Sequence, residues 1–317
     1  MSSPSTTQIT RLAPSPTGAL HLGNLRTFII NWILAQQNDW KVLLRIDDLD
    51  GPRIKKYAES DIFEVFQWVG LEWETPVSRQ SDDLEPYHQA MERLCKTNHC
   101  YPCQLSRSEI AEAYSAPHGD RKEAYFPPSL RPDERPDFDE RKSSNWRFAV
   151  PHQTIEFKDQ FCGKSITKPA ETVGDFVVWT KNGTPSYQLA VVIDDARQAV
   201  TQIVRGDDLL DSTGRQILLM QALNYKSFPT YTHLPLVLGP DGRRLAKRHG
   251  DTRVLSYREK GVTVPRLLGL MAFWCGTIKQ LKEISLNRFV DEFQLKTLSR
   301  EPIIMTKQDE EWVLSGV

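Results

Sequence analysis

The stretch LAPSPTGALHLGNLRT, residues 12–27, connects two predicted elements of different kinds. ITRLA (residues 9–13) has the composition of a short β-strand, whereas LRTFIINWILAQQ carries apolar residues on most faces and predicts a buried helix. KVLLRIDDLD (residues 41–50) then predicts a second buried strand that ends in a carboxylate-rich loop. A strand, a helix and a strand within about forty residues form a βαβ unit, which implies a parallel sheet.

The turn before the first helix has the features of an anion site. A helix that begins at the carboxyl end of a strand exposes free backbone N–H groups and its positive dipole end. Gly18 and Gly23 let the backbone approach a ligand closely. His21 and Asn24 add side-chain donors one helical turn apart. The segment predicts a nucleotide phosphate site, and a capped strand–helix turn with a solvent-facing histidine stays open as the alternative.

The middle of the chain differs from its start in composition and in the pattern of apolar residues. Residues 126–145 are rich in proline and charge and predict an irregular surface excursion. NWRFAV, TIEFKD and DFVVWTKNGTPSYQLAVVIDD alternate like strands, with a hairpin signal at Asn182-Gly183 and with Asp194 and Asp195 at a strand end. Two interpretations of these carboxylates are equally open: they lie near a bound ribose or Mg²⁺, or they are solvated at the end of a strand. The α/β pattern returns near residue 200, which predicts an insertion between two halves of one sheet.

The overall composition is that of an ordinary soluble globular protein. The 317 residues are 39% apolar and 26% charged, with a formal net charge of −1, so a nucleic-acid partner would need a local basic surface. One such segment, RRLAKRHGD, is either a solvated loop or a loop that closes over phosphates. Five cysteines, a start without a leader pattern and no apolar run of about 18 residues predict a cytoplasmic protein without disulfides or membrane spans.

Five ordered motifs carry a family resemblance that covers approximately residues 9–255. RLAPSPTGALHLGNLRT, LLRIDDLD, SYQLAVVIDD, IVRGDDLL and PLVLGPDGRRLAKRHG resemble the bacterial glutamyl-tRNA synthetase group of class I aminoacyl-tRNA synthetases. Sixty-nine of the 317 residues follow Arg248, which suits one small helical module rather than two large helical anticodon-binding domains. The sequence is therefore similar to the truncated branch of this group, the glutamyl-queuosine tRNA(Asp) synthetases.

The resemblance implies an α/β fold with a Rossmann-like parallel sheet that is split by an insertion and followed by a small helical module, with no anticodon-binding domain. We expect the first half of the catalytic domain in residues 1–100 and an inserted acceptor-type subdomain in residues 101–190. The second half, with a mobile lysine loop, is expected in residues 191–255, and the C-terminal module in residues 256–317.

The resemblance also implies an activity. Members of this branch activate glutamate with ATP without needing tRNA and transfer it to queuosine in the anticodon of tRNA(Asp). ATP is then a substrate that comes with Mg²⁺, the partners are glutamate and tRNA(Asp) carrying queuosine, and we expect a monomer. Two alternatives are a short glutamyl-tRNA synthetase that charges a tRNA 3′ end and a non-catalytic tRNA-binding paralogue.

The site residues follow from matching this sequence to the family motifs. The residues expected to bind ATP are Pro14, His21, Gly23, Asn24, Arg244 and Lys247. The residues expected to bind glutamate are Arg11, Ala13, Ser15, Asp47, Tyr187 and Arg205. His21 and Lys247 are the expected catalytic residues, because catalysis here rests on neutralising phosphate charge rather than on a nucleophile or a general base.

Two departures from the family pattern affect this site. Asp47 stands where the family usually has a glutamate that grips the substrate α-ammonium, so the carboxylate is one methylene shorter. A water could bridge that gap. Arg244 and Ala246 replace the commoner lysine and serine of the second ATP motif, whereas Lys247 is retained.

The inserted segment carries a candidate metal site. Family members often hold zinc there through Cys-x-Cys, a tyrosine and a third cysteine. Cys103 and Tyr114 match two of these ligands, whereas Leu105 and His118 stand where the other cysteines would be. A rearranged site of Cys100, Cys103 and His118 stays open. We expect a zinc-free insertion held by packing, because zinc needs all its ligands in place.

Overall fold

The computed structural model describes residues 7–106, 109–110, 125–139, 143–243, 245 and 252–315. The strands in this part of the chain are β1 (Ile9–Leu12), β2 (Lys41–Ile46), β3 (Glu74–Arg79), β4 (Cys100–Cys103), β5 (Asn145–Phe148), β6 (Ile155–Asp159), β7 (Gly163–Thr167), β8 (Phe176–Trp179), β9 (Gln202–Gly206), β10 (Thr230–Leu234), β11 (Val237–Leu238) and β12 (Ile303–Ile304). The α-helices are α1 (Leu22–Gln37), α2 (Ala58–Val69), α3 (Glu85–Lys96), α4 (Pro169–Thr172), α5 (Tyr187–Arg197), α6 (Leu210–Ala222), α7 (Val254–Glu259), α8 (Val264–Trp274), α9 (Leu286–Glu292) and α10 (Lys307–Leu314).

The central sheet has the strand order β3-β2-β1-β9-β10-β6-β7 among the described residues. All its neighbouring strands pair in parallel, apart from the antiparallel pair β6–β7 at one edge. The predicted βαβ unit is confirmed as β1-α1-β2, and the sheet resumes at β9 after an interruption, as expected. The hairpin β6–β7 lies within the segment predicted as the insertion, yet it extends this sheet beside β10.

The two faces of the central strands differ in chemistry. One face packs against α1, and its strand residues belong to one buried apolar cluster: Leu12, Leu44, Val204 and Leu234. Because side chains alternate along a strand, the neighbouring positions point to the opposite face. Those positions carry polar side chains: Arg11, Arg45, Arg205 and His233. The sheet therefore has an apolar face that holds the core and a face that carries buried charge.

The inserted part forms a separate antiparallel sheet, β4-β5-β8. The predicted turn at Asn182-Gly183 is present, with Gly183 at φ +78° and a hydrogen bond from its N–H to Thr180 O. The strand predicted for SYQLAVVIDD is wrong, because this segment forms α5. Residues 189–195 of α5 are all buried, and a short apolar run without an exposed face does not distinguish a strand from a buried helix.

The C-terminal part is helical, as expected, and packs on the central sheet. Buried residues of α8 and α9 join the apolar cluster of α1. The short strand β12 pairs in parallel with β11. Backbone hydrogen bonds therefore also connect the C-terminal part to the segment that follows β10. None of the helices in the described ranges has the length and apolar character needed to cross a bilayer.

Candidate active site

The predicted glutamate-binding arginines lie on the charged face of the sheet, near the carboxyl ends of its strands. Arg11 pairs in register with Leu43 of β2, so Arg45, two residues further along, points to the same face. Arg205 pairs in register with His233 of β10. In open parallel sheets, ligands bind at the carboxyl ends of the strands, which makes this edge the candidate site.

Asp195 joins two of these arginines. Its Oδ1 accepts a hydrogen bond from Arg11 Nε at 3.0 Å and another from Arg45 Nη1 at 2.7 Å, and all three side chains are buried. Burial by itself would raise the pKa of Asp195, but the two guanidinium charges and their hydrogen bonds hold that pKa below its usual value. Asp195 is therefore the shared counter-charge of Arg11 and Arg45.

Asp47, which stands where the family usually has the longer glutamate, is held by contacts with Arg45 and with the loop that follows β1. Its Oδ1 lies 2.7 Å from Arg45 Nε, and its backbone N–H donates to Pro14 O at 3.1 Å. Burial raises the pKa of Asp47, and the charge of Arg45 offsets only part of that rise. A contact between Asp47 and a substrate ammonium stays a prediction.

Asp194 and Asp195 do not end a strand, so the prediction of a solvated strand end is wrong. Both lie inside α5 and are buried. Asp194 accepts hydrogen bonds from Gln80 Nε2 at 2.8 Å and from the Tyr87 hydroxyl at 2.8 and 2.9 Å. Burial raises the pKa of Asp194 despite these partners and the nearby Arg45. Asp195 thus anchors α5 to the charged face of the sheet, and Asp194 anchors it to Gln80 and to Tyr87 of α3.

Arg205 is held on two of its three nitrogens. Its Nε donates to His233 Nε2 at 3.0 Å, and its Nη2 donates to Thr213 Oγ1 at 2.8 Å and to Leu209 O at 3.3 Å. The remaining nitrogen, Nη1, is buried and has no hydrogen-bond partner in the part of the chain that the structure describes. A buried guanidinium N–H group without an acceptor is costly, so this nitrogen marks a position for a ligand oxygen.

His233 fixes the orientation of Arg205. Its Nδ1 lies 2.7 Å from Asp159 Oδ2, and its Nε2 receives the Arg205 N–H, so we assign the neutral tautomer with the proton on Nδ1. Burial lowers the pKa of His233, and the charge of Arg205 acts in the same direction against the raising effect of Asp159. The neutral ring is the form that can accept from Arg205.

Of the other predicted glutamate contacts, Ala13 and Ser15 lie in the loop that follows β1. Ala13 is half-buried and Ser15 is exposed. Tyr187 is the first residue of α5, and 40% of its surface is exposed. Ala13 and Ser15 therefore lie just beyond the strand that carries Arg11, whereas a contact between Tyr187 and the substrate stays a prediction.

His21 lies at the N-cap of α1, and its predicted contact with ATP stays a prediction. Its Nδ1 is 2.9 Å from Thr252 Oγ1, and its backbone bridges to Arg253. Thr252 directly follows the basic segment in the sequence, and this contact connects Thr252 to the predicted phosphate site. Arg244 and Lys247 lie outside the described residues.

The two glycines and Asn24 of the first motif have different surroundings. A Cβ on Gly23 would lie 3.3 Å from Val237 Cβ, so close packing against β11 accounts for this glycine. A Cβ on Gly18 would meet nothing within 4 Å, and Asn24 is exposed at the first turn of α1. Gly18 and Asn24 therefore remain available to a ligand, whereas Gly23 also serves the fold.

The cysteines of the inserted part lie in apolar surroundings. Cys100 belongs to a buried cluster with Cys95 and Trp146, whereas Cys103 belongs to another with Tyr101. Three residues apart on β4, the two thiols point to opposite faces of the strand, which does not suit a shared ion. The described residues contain no group of three or more His, Cys, Asp or Glu side chains placed to hold a metal. Tyr114 and His118 lie outside the described residues, so the zinc-free insertion stays a prediction.

Several residues of this site were not singled out from the sequence: Arg45, Gln80, Tyr87, His233 and Thr252. Arg45 carried a signal, because it interrupts the apolar run VLLRI and charged residues are seldom buried without a partner, whereas His233 lies in TYTHL, which is not an apolar run. Gln80 and Tyr87 carried none, since their partner Asp194 is more than 100 residues away.

The sequence matches a family described as "tRNA synthetases class I (E and Q), catalytic domain" over residues 8–312. The chain therefore belongs to the class I tRNA synthetases, which are ligases that use ATP.

Individual relatives place the similarity more narrowly. The chain is 39% identical over 306 residues to the glutamyl-Q tRNA(Asp) synthetase of Symbiobacterium thermophilum, which covers 92% of this chain and 94% of that protein. It is 35% identical over 307 residues to glutamate–tRNA ligase 1 of Helicobacter pylori, which covers 96% of this chain and 65% of that ligase. The solved glutamate tRNA ligase of Elizabethkingia meningosepticum, in complex with its amino acid, has a TM-score of 0.79 at 26% identity and covers 97% of this chain and 68% of that one.

Proposed function

We propose that this enzyme activates glutamate with ATP in the absence of tRNA and transfers the glutamyl group to queuosine in the anticodon of tRNA(Asp). Glutamate is proposed as the amino acid because the buried Nη1 of Arg205 has no hydrogen-bond acceptor within the described residues. The choice of acceptor rests on the similarity to proteins named glutamyl-Q tRNA(Asp) synthetase.

The guanidinium group of Arg205 suits an acidic amino acid. Arg11 and Arg45 contact acidic side chains, whereas the hydrogen bonds of Arg205 within the described residues go to His233, Thr213 and Leu209 O. A guanidinium binds a carboxylate through directed N–H bonds, and a neutral amide would leave the Arg205 charge without a counter-ion. The side-chain carboxylate of glutamate would therefore bind Arg205, and its α-carboxylate would stay available for reaction.

The first chemical step is attack of the glutamate α-carboxylate on the α-phosphorus of ATP. One carboxylate oxygen forms a bond to phosphorus as the bond to the bridging oxygen of pyrophosphate breaks. The carboxylate is ionised at neutral pH, so no general base is required. His21 and the N-terminus of α1 would bind the phosphates, and Lys247 would neutralise the charge that develops on them. Mg²⁺ would arrive bound to ATP and would also neutralise part of this charge.

In the second step, a hydroxyl of the queuosine ring attacks the activated carbonyl, and AMP leaves. A competing acceptor is the 3′ end of a tRNA. The similarity to the Helicobacter pylori glutamate–tRNA ligase, over 96% of this chain, favours keeping that reaction as the second candidate.

Glutamate-dependent exchange of pyrophosphate into ATP, measured without tRNA, tests the proposal. We expect exchange with glutamate but not with glutamine, and a loss of about 100-fold or more in Lys247→Ala, because a preorganised charge at the phosphates is removed. Lys296→Ala, which removes an exposed lysine far along the chain, serves as the matched control. A wild-type protein that catalyses no exchange would refute tRNA-independent activation.

The acceptor is tested separately with labelled glutamate. We expect transfer to tRNA(Asp) that carries queuosine and none to the same tRNA without it. Labelling of tRNA(Glu), lost after periodate treatment of its 3′ end, would instead establish the second candidate.

A further inference from the structure

Tyr231 holds a second buried polar group without a partner, close to Arg205. Only 2% of its surface is exposed, and its hydroxyl has no hydrogen-bond partner in the described ranges. The Arg205 guanidinium carbon lies 5.5 Å from the centre of the Tyr231 ring. Two residues that each carry an unsatisfied buried donor thus lie next to each other, and buried polar groups usually have a hydrogen-bond partner.

The register of the sheet places Tyr231 on the charged face. Tyr231 pairs with Ile203 of β9, and His233, two residues later, pairs with Arg205. Residues two apart on a strand point to the same face, so Tyr231 shares the face of His233 and Arg205. Arg11 lies on this face as well, one strand beyond β9.

The ring of Tyr231 is anchored by apolar and aromatic contacts, which leave its hydroxyl as the polar end. Phe157 meets the ring edge-on at 5.8 Å, His233 stacks on it at 6.0 Å, and Ile203 packs in the same cluster. A phenylalanine would make these contacts equally well, so packing does not account for the hydroxyl.

The groups that act electrostatically on this hydroxyl are residues of the proposed glutamate site. Burial raises the pKa of the Tyr231 phenol, and the charges of Arg205 and Arg11 act on it in the opposite direction. Asp195 and Tyr187 act on the same phenol. The hydroxyl therefore remains protonated at neutral pH and lies within electrostatic reach of the predicted glutamate contacts.

We propose that the Tyr231 hydroxyl is a substrate-binding group that, with Arg205 Nη1, donates a hydrogen bond to the side-chain carboxylate of the bound amino acid. A carboxylate has two oxygens and accepts from two donors at once, which satisfies both buried groups in one step. This inference rests on the proposed activation of glutamate and adds a residue that the family motifs did not include.

Tyr231→Phe tests the inference, because it removes one oxygen and keeps the ring. In glutamate-dependent pyrophosphate exchange without tRNA, we expect the KM for glutamate to rise roughly tenfold, as for loss of a hydrogen bond to a charged group, with the KM for ATP unchanged. The melting temperature of the ligand-free variant should be equal to or above that of the wild type, because an unsatisfied hydroxyl has been removed.

Tyr101→Phe is the matched control, since Tyr101 is also a buried tyrosine but its hydroxyl donates to Asp175 in the inserted part. It should show the opposite pattern, with a lower melting temperature and an unchanged KM for glutamate. A wild type that exchanges pyrophosphate together with an unchanged glutamate KM in Tyr231→Phe would overturn the inference alone. A wild type without exchange would overturn the proposed activation and this inference with it.

Discussion

Replacing Asp195 with asparagine removes the shared counter-charge of Arg11 and Arg45 while keeping the shape of the side chain. The two contacts are 3.0 and 2.7 Å long, and Asp195 and its partners expose at most 5% of their side chains. The amide oxygen of asparagine can still accept a hydrogen bond, but it carries no charge. Arg45 would then keep Asp47 at 2.7 Å and Asp194 at 4.0 Å, whereas Arg11 would lose the carboxylate that it contacts.

The burial of this group sets the size of the effect. Breaking a buried ion pair by removing one partner costs about 3–5 kcal/mol, because the other charge stays buried without compensation. Since asparagine retains one acceptor, we expect the free energy of unfolding to fall by about 3 kcal/mol, the lower end of that range. With a urea m-value of about 3 kcal/mol/M, that loss moves the unfolding midpoint by about 1 M.

Urea unfolding at pH 7, followed by circular dichroism, measures this shift directly. Glu292→Gln is the control, because Glu292 and Arg288 form an ion pair on the surface, with 39% and 51% of their side chains exposed. Solvent screening leaves such a pair with little effect, so its midpoint should match that of the wild type. An Asp195→Asn variant that unfolds at the wild-type midpoint would refute the conclusion that these contacts stabilise the fold.

Two further predictions concern Arg205 and the histidine that holds it. Arg205→Lys should raise the KM for glutamate about 100-fold in the exchange assay, since one ammonium cannot replace the bonds to His233 and Thr213 and also bind substrate, and an unchanged KM would contradict the assignment. The folded-state pKa of His233 is below its ordinary value of 6.5, so the unfolded chain binds more protons and stability should fall as the pH drops below about 6.5, by at most about 1.4 kcal/mol per pH unit. The urea unfolding midpoint of the wild type should fall between pH 7.5 and 5.5, whereas that of His233→Gln should not show this fall. An equal dependence on pH in the two proteins would exclude His233 as the cause.

The order of helices and strands could be predicted from the sequence where the length of an apolar run decided the type of element. The run in α1 is too long for a typical strand, whereas the run in β2 has the length of a strand. The helix α2 ends at Gly70, which adopts φ +83° in the left-handed conformation that glycine tolerates, so the position of this glycine indicates the end of the helix.

The prediction failed where burial removed the periodic signal. The helix α5 has no exposed stripe between residues 189 and 195, so its sequence reads equally well as a strand. That single error also moved Asp194 and Asp195 from the interior to a supposed strand end. The position of the β6–β7 hairpin in the sheet could not be predicted from the sequence either, because the pairing of β6 with β10 is a contact between distant parts of the chain.

The candidate site divides in a similar way. Residues in contiguous motifs, such as Arg11, His21 and Arg205, were named through the family resemblance. Their partners were not, because Asp195 is 184 residues from Arg11 along the chain and His233 is 28 residues from Arg205. A motif specifies which side chain meets the ligand, whereas the group that holds the side chain in position is set by the tertiary fold.

These holding groups have a physical consequence for catalysis. An arginine that had to be pulled from water into place by each substrate would spend binding energy on ordering its side chain. Here Asp195 holds Arg11, and His233 and Thr213 hold Arg205, before any ligand arrives. The ordering cost is therefore met during folding, and in the proposed reaction the N–H groups of Arg205 Nη1 would bind the side-chain carboxylate of the substrate. Donors that are fixed in advance orient the substrate, which would position its α-carboxylate for attack on ATP, a step in which no proton has to be removed.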